Sequence, residues 1–210
     1  MTDSTFEGLS RPIAEMMETQ RSIRRLTDRP VDQSIVRRCI ELGLKAPTGS
    51  NGQNWEFIVV RDAEVKARIA RQYRRAWPLY RRTIDSSTPS NVRMIDAVQH
   101  QIDHFESIPV IVVACLAGGR PTGPYVAKSS YYGSIYPTVQ NILLAARSLE
   151  LGASLLTLPL WSARRSRRIL GLPRSVRPAC LIALGWPAGH YGPTTRRPVD
   201  DVVHFERWRR

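Results

Sequence analysis

Guanidinium groups and small polar side chains are the chemistry-bearing features of this chain, and they gather in three places. Near the start, Arg21, Arg24 and Arg25 flank Ser22 and Ile23. Guanidinium forks grip phosphate or carboxylate oxygens two at a time, so this cluster suits an anion; a solvated helix end in an Arg-rich chain has the same composition. The second place is Ala46-Pro47-Thr48-Gly49-Ser50-Asn51-Gly52-Gln53-Asn54-Trp55. Pro47 and Gly49 break a helical pattern, while Thr48, Ser50 and Asn51 put hydroxyl and amide groups on a tightly bent chain. Gly52 allows close backbone approach, and Gln53 and Trp55 alternate into a strand. A surface turn shares this composition. The third place is the tail, with Arg196 and Arg197.

Other patterns compete for attention. His100 and His104 stand four apart, a metal-ligand spacing, but no HExxH pattern or third ligand accompanies them, so a polar helix face is the reading and no metal is expected. The loop Gly118–Pro124 is not a phosphate loop, since no helix-forming segment follows it directly. Arg164, Arg165, Arg167 and Arg168 lie on one short helical pattern, either a phosphate-reading helix or a solvated face. Net charge is +13. Nearly all of it is Arg, with Lys only at 45, 66 and 128, and it is scattered over separate segments, which argues against a dedicated nucleic-acid surface. Cys39, Cys115 and Cys180 are far apart in apolar surroundings without a CxxC, as reduced core thiols would be. No signal-peptide pattern and no membrane-length apolar run occur, which fits a cytoplasmic protein.

The 210 residues suffice for one domain with a full core. Ile13, Met16 and Met17 mark a first helix face. Asp32 caps a helix whose stripe is Ile35, Cys39, Ile40 and Leu44, delivering the chain to the Pro47–Trp55 loop. Trp55–Val60 is apolar at nearly every position and reads as a strand buried on both faces. Asp62 caps a helix carrying Val65, Ile69 and Tyr73. Residues 74–107 are the least regular stretch, a mobile excursion followed by a polar helix, and form a helical excursion or candidate lid. Ile108–Leu116 is a second buried strand. Residues 134–151 give the longest helix, apolar over much of its circumference. Ser154–Leu160 is a short strand or extended segment, Ser162 caps the basic helix, and Ala179–Trp186 is the last core strand. Residues 187–210 form an arm whose Val202, Val203, Phe205 and Trp208 need cover that a partner subunit could supply.

Three separated stretches together resemble the FMN-dependent nitroreductase family: Arg21-Ser22-Ile23-Arg24, the loop Ala46–Trp55, and Leu184-Gly185-Trp186-Pro187 followed by Arg196-Arg197-Pro198-Val199-Asp200. The helix Gln140–Ala146 followed by Leu151-Gly152-Ala153 also looks like the family's central helix. The resemblance implies an α+β fold, a mostly antiparallel sheet flanked by helices, in a domain-swapped homodimer with FMN at the interface. Arg21, Ser22 and Arg24 would then hold the phosphate, ribityl chain and N1/O2 edge. Pro47, Thr48, Gly49 and Asn51 would come from the partner subunit. Thr157, Leu158 and Leu160 would lie along the flavin, with the Leu160 backbone a candidate for the N5 contact, and Arg196 and Arg197 would close over the phosphate. Departures are Gln20, Asn54 and the pair Pro159-Leu160. The implied activity is ping-pong reduction of a nitroaromatic or quinone by NAD(P)H, with Tyr73, Trp77, Tyr80 and Tyr125, Tyr131 or Tyr132 as aromatic walls; each of these rings could equally serve in packing. A flavin-dependent oxidase, an enzyme destroying flavin, and a non-catalytic basic binding protein are the alternatives.

Overall fold

Four strands form one antiparallel sheet in the order β1–β2–β4–β3, where β1 is Trp55–Val60, β2 is Val110–Leu116, β3 is Gly152–Leu156 and β4 is Arg177–Gly185. The computed structural model describes Phe6 and residues 9–118 and 121–208. Central position explains why β2 is buried throughout and β4 from Cys180 onward: a strand apolar at successive positions fills both faces of a covered sheet. The outcome differs for β1. Expected to be buried on both faces, it is an edge strand with Glu56 and Val59 exposed, because among the described residues no strand pairs with its outer side.

Helices coat both faces. On one, α2 (Gln33–Gly43) and α6 (Tyr136–Ser148) bring Val36, Cys39, Val139 and Ile142 onto Val112 and Ile182. Gly43 makes this packing possible, since a Cβ there would lie 2.6 Å from Ile142 Cγ1. On the other face, α3 (Ala63–Arg81) and α4 (Pro89–Asp103) bring Ile69, Tyr73, Trp77 and Ile102 onto Ile111, Val113 and Leu181. The caps are those the sequence marks: Asp32 accepts from Ser34 N at 2.7 Å, and Asp62 accepts from Val65 N at 2.8 Å.

Three further elements differ from expectation. The stretch 74–107 is mostly regular: α3 runs through Pro78 to Arg81, and α4 starts on a Thr88 cap. Burial of Ala76 and Trp77 outweighs the one backbone hydrogen bond that Pro78 cannot donate. Second, helix α5 (Tyr125–Gly133) does follow the Gly118–Pro124 loop, ahead of α6. Third, α6, expected to be the longest helix, has 13 residues and is shorter than α3 with 19, because α3 continues through Pro78. The remaining helices are α1 (Ile13–Thr19) and α7 (Ala163–Ile169). After β4 the chain folds back along its own beginning: Thr27 N donates to Trp186 O at 2.8 Å, Ala188 N to Arg25 O at 3.0 Å and Thr194 N to Glu18 O at 3.1 Å. Among the described residues no helix is long and apolar enough to cross a membrane.

Candidate functional site

The arginine cluster lies along the β3 edge. Ser22 bridges Ala153, and Ile23 N donates to Ala153 O at 2.9 Å. Ile23 and Leu26 pack directly on Gly152, where no side chain fits: a Cβ there would sit 2.6 Å from Leu26 Cδ2. This seat fixes Arg24 between them. Its Nε is buried without a hydrogen-bond partner. Burial holds the guanidinium below its ordinary pKa, Tyr73 acting against that and Arg21 adding to it. A half-buried cation whose buried Nε lacks a partner is costly, so the position is poised for an anion.

The returning arm brings the third polar group to the first. Thr194 binds Glu18 O through both its backbone N–H and its hydroxyl, the latter at 3.1 Å. Gly192 lies against Arg21, an ideal Cβ there being 3.9 Å from Nη1. Arg196, two residues past Thr194, and Arg197 are exposed, and Arg196 donates to Thr195 O. Two residues that sequence reasoning missed hold this junction. Arg147 Nε donates to Thr19 Oγ1 at 3.0 Å while its guanidinium lies 4.0 Å from the Tyr191 ring centroid. The Tyr191 hydroxyl donates to Leu151 O.

The segment after β3 completes this side. Thr157 is exposed, and Leu158–Leu160 form a 3-10 turn packed on α3. The Leu160 N–H, the candidate N5 contact, donates to Thr157 O at 2.9 Å, closing that turn. Trp161, which sequence reasoning did not single out, is 59% exposed at the turn's end. Its signal was a large aromatic beside the expected flavin-edge residues.

The polar loop sits before β1. Ser50, Asn51 and Gln53 all have positive φ, at 52, 53 and 45°, and glycine is absent from these three positions. Left-handed backbone at non-glycine residues is strained and gathers at ligand sites. The loop is pinned inward: Gly49 N donates to Ser134 Oγ at 3.0 Å and Trp55 Nε1 to Ser134 O at 3.1 Å. Close approach belongs to Gly49 rather than Gly52, for a Cβ at Gly49 would sit 2.1 Å from Ser130 Oγ. Gln53 Nε2 donates to Asn51 Oδ1, whereas Pro47, Gly49, Ser50 and Asn51 are exposed. Asn54, at one of the family departures, donates to Ala117 O and lengthens the β1–β2 pairing.

Within one protomer the two polar groups do not meet. Trp55 is level with Leu116 and Arg177, whereas Ser22 is level with Ala153 and Leu184. They occupy opposite edges of the sheet, four strand spacings or roughly 19 Å apart, and a similar distance apart along the strands. Of the candidate aromatic walls, Tyr73, Trp77 and Tyr131 are buried. Tyr73 packs edge-on to Phe105, burial pushing its hydroxyl up to about 12; Trp77 Nε1 donates to Gln99 Oε1 at 2.9 Å; Tyr131 donates to Leu116 O at 3.3 Å. Tyr80, Tyr125 and Tyr132 are exposed. A cavity of about 1200 Å³ forms a groove along the open β1 edge, between Val36 and Ile40 of α2, its C-cap Leu44, and Ile169 and Leu170. His100 stacks on His104 with centroids 4.2 Å apart, and among the described residues no group of three or more His, Cys, Asp or Glu is placed to hold a metal.

The fold has relatives among known proteins. The nitroreductase family model matches residues 17–186. A Methanothermobacter thermautotrophicus protein assigned as an NADH dehydrogenase/NAD(P)H nitroreductase is 29% identical over 93% of this chain and 87% of its own. An iodotyrosine deiodinase of Nematostella vectensis is 21% identical over 96% of this chain and 78% of its own. Among solved structures, a Desulfovibrio desulfuricans protein assigned as a nitroreductase, in complex with FMN, superposes with a TM-score of 0.70 at 28% identity, over 95% of this chain and 99% of that one. An iodotyrosine deiodinase bound to FMN and 3-iodo-L-tyrosine superposes at 0.75 with 18% identity, over 94% of this chain and 100% of that one, a likeness of fold. With an α+β sheet of this topology and a family match over most of its length, the chain belongs to the nitroreductase family.

Proposed function

We propose that this chain is an FMN-dependent oxidoreductase whose cofactor site is assembled from two copies of the chain. The observation that carries the reading is Arg24, a half-buried guanidinium whose buried Nε has no partner, beside Arg21 and the arm that leads to Arg196. A phosphate and an electron-poor ring edge are the groups such a cradle fits. Arg21, Arg196 and Arg197 would take the phosphate. Ser22 and Arg24 would hold the ribityl chain and the N1/O2 edge, and Thr157 and Leu158 would lie along the ring. Pro47, Thr48, Gly49 and Asn51 of a second copy would close the other side. When bound, FMN supplies the hydride and electron chemistry. The chain's own contribution is a cation placed where negative charge develops on reduction, which favours the reduced state electrostatically.

The same geometry supports a homodimer. Polar groups on opposite edges of one sheet reach a common ligand when a two-fold axis brings one copy's loop to the other copy's arginines. The open β1 edge with its groove, and an arm whose Phe205 and Trp208 are each 77% exposed, are surfaces a second copy would cover. NAD(P)H would be the reductant and a planar, electron-poor small molecule the acceptor, in a ping-pong cycle through one cleft. The test is the visible spectrum of the purified protein read with its size on a calibrated column, then anaerobic addition of NADPH or NADH. A yellow dimer bleached by a nicotinamide is expected. A colourless protein that FMN does not reconstitute overturns the reading; reduction by an organic substrate but by neither nicotinamide reverses its direction to an oxidase.

A further inference from the structure

From Thr157 to Pro178 the sequence holds six arginines and no Asp or Glu. Arg164, Arg165 and Arg168 share the exposed side of α7, and none of the four ion pairs among the described residues involves them. Their placement is fixed. Ser162 caps α7 by accepting from Arg165 N, and Ser166 on its inner side accepts from Gln72 Nε2 of α3 at 3.2 Å, both side chains being buried. Arg167, next to Ser166, has a buried Nε without a partner. Trp161, exposed, stands in the turn between Leu158–Leu160 and α7. An exposed aromatic plane and several guanidiniums without ion-pair partners therefore lie within a few residues of one another in the chain, next to the segment assigned to the flavin edge.

We propose that Trp161 and the arginine face of α7 bind the adenosine 2′-phosphate end of NADPH and so select NADPH over NADH. This rests on the FMN oxidoreductase reading and names its reductant. The nicotinamide must reach the flavin edge at Thr157–Leu160, so the rest of the dinucleotide runs over elements that border that turn, of which α7 is the next in the chain. A planar base gains from stacking on an exposed indole. The 2′-phosphate is a dianion that NADH lacks, and the bidentate fork of Arg is the side chain that best distinguishes its presence. A purely solvated charged helix would need neither the adjacent exposed indole nor an acid-free stretch of this length.

The experiment compares kcat/KM for NADPH and NADH in the FMN-loaded protein, and measures binding of 2′,5′-ADP and 5′-AMP by calorimetry. Wild type is expected to prefer NADPH and to bind 2′,5′-ADP more tightly than 5′-AMP, with a steep salt dependence. In Arg164→Gln/Arg168→Gln the NADPH:NADH ratio and the 2′,5′-ADP affinity should each fall about tenfold or more, the loss expected for charge-assisted contacts. Trp161→Ala should weaken both nucleotides. Removing two charges elsewhere, in Arg82→Gln/Arg93→Gln, should leave the ratio unchanged. Equal use of both nicotinamides by wild type overturns the proposal, as does a ratio that survives the α7 substitutions. So does 2′,5′-ADP binding no tighter than 5′-AMP, or an α7 face that retains duplex DNA but neither nucleotide. Failure of the underlying reading looks different: a protein that does not hold FMN, whose nucleotide affinities the calorimeter still reads.

Discussion

Adding one methyl group at Gly152 tests whether the β3 edge is what sets Arg24 in place. The new Cβ would lie 2.6 Å from Leu26 Cδ2, 2.8 Å from Ile23 Cγ2 and 3.2 Å from Ile23 Cβ. Leu26 can swing its methyl aside. Ile23 cannot: it is β-branched, and its N–H is bound to Ala153 O at 2.9 Å. Either that hydrogen bond is lost, at about 1 kcal/mol, or the contact stays overpacked at about 1–3 kcal/mol. A cost near 2 kcal/mol corresponds to a Tm roughly 4–8 °C lower for a domain of this size. If instead the segment lifts from the sheet, Arg24 moves with it and FMN binding absorbs the same cost, about 30-fold in Kd. Flavin-fluorescence titration of Gly152→Ala, beside the Tm of the apoprotein, separates the two outcomes. Gly133→Ala, whose Cβ meets nothing within 4 Å, is the control. A Gly152→Ala protein with wild-type Tm and wild-type FMN affinity would refute the seat.

Three further expectations follow from the same structure. Asn51→Gly keeps the left-handed backbone and removes the amide, so it should weaken FMN binding while the dimer persists; Asn51→Ala adds strain at φ 53°, and its extra cost should appear as a lower Tm. Burial raises the Cys39, Cys115 and Cys180 thiols to about 12, so none should react with a thiol reagent at pH 8 until the chain is unfolded, when all three should; rapid reaction of the native protein would contradict their burial. Desolvation first, then Arg25 and His104, hold His100 below its ordinary value of 6.5. The unfolded state therefore binds more protons, so stability is full above that value and declines as pH falls below it. His100→Asn should flatten that slope in pH-dependent denaturant melts, and an unchanged slope would assign it to other groups.

What the sequence revealed depended on how local each feature is. The central strands and α6 were legible because each is apolar over nearly all of its surface, a property of neighbouring residues alone. Strand β1 has the same pattern, yet edge or centre is decided by the order of the sheet, which no window of residues encodes. The Pro78 and Ser86–Ser90 signals pointed away from helix, and tertiary burial of Trp77 overrode the first of them. The polar residues of the candidate site were legible as clusters, and Gly49 was recognisable as a chain breaker. That Gly49 rather than Gly52 makes the close approach depends on Ser130, far along the chain. Arg147 and Tyr191 were invisible for the same reason: their junction joins α6, the arm and the start of the chain.

The separation of the two polar groups makes one prediction that turns on geometry alone. If each flavin is held by Arg24 of one copy and Asn51 of the other, the two residues never act on one ligand in the same chain. A homodimer of Arg24→Gln then lacks the arginine in both sites, and a homodimer of Asn51→Gly lacks the loop amide in both. Co-expressed with different tags, the two variants form mixed dimers in which one site carries both lesions and the other carries neither. Random pairing puts about half of the dimers in the mixed class, so about a quarter of all sites should bind FMN with wild-type affinity. Purification through both tags should raise that fraction to about half of the sites. If one chain supplied both residues to a single flavin, every site in the mixed dimer would carry one lesion, and tight FMN binding would not return at any ratio. Recovery of wild-type affinity after tandem purification therefore separates a site shared between copies from one built within a copy, without any assumption about the substrate.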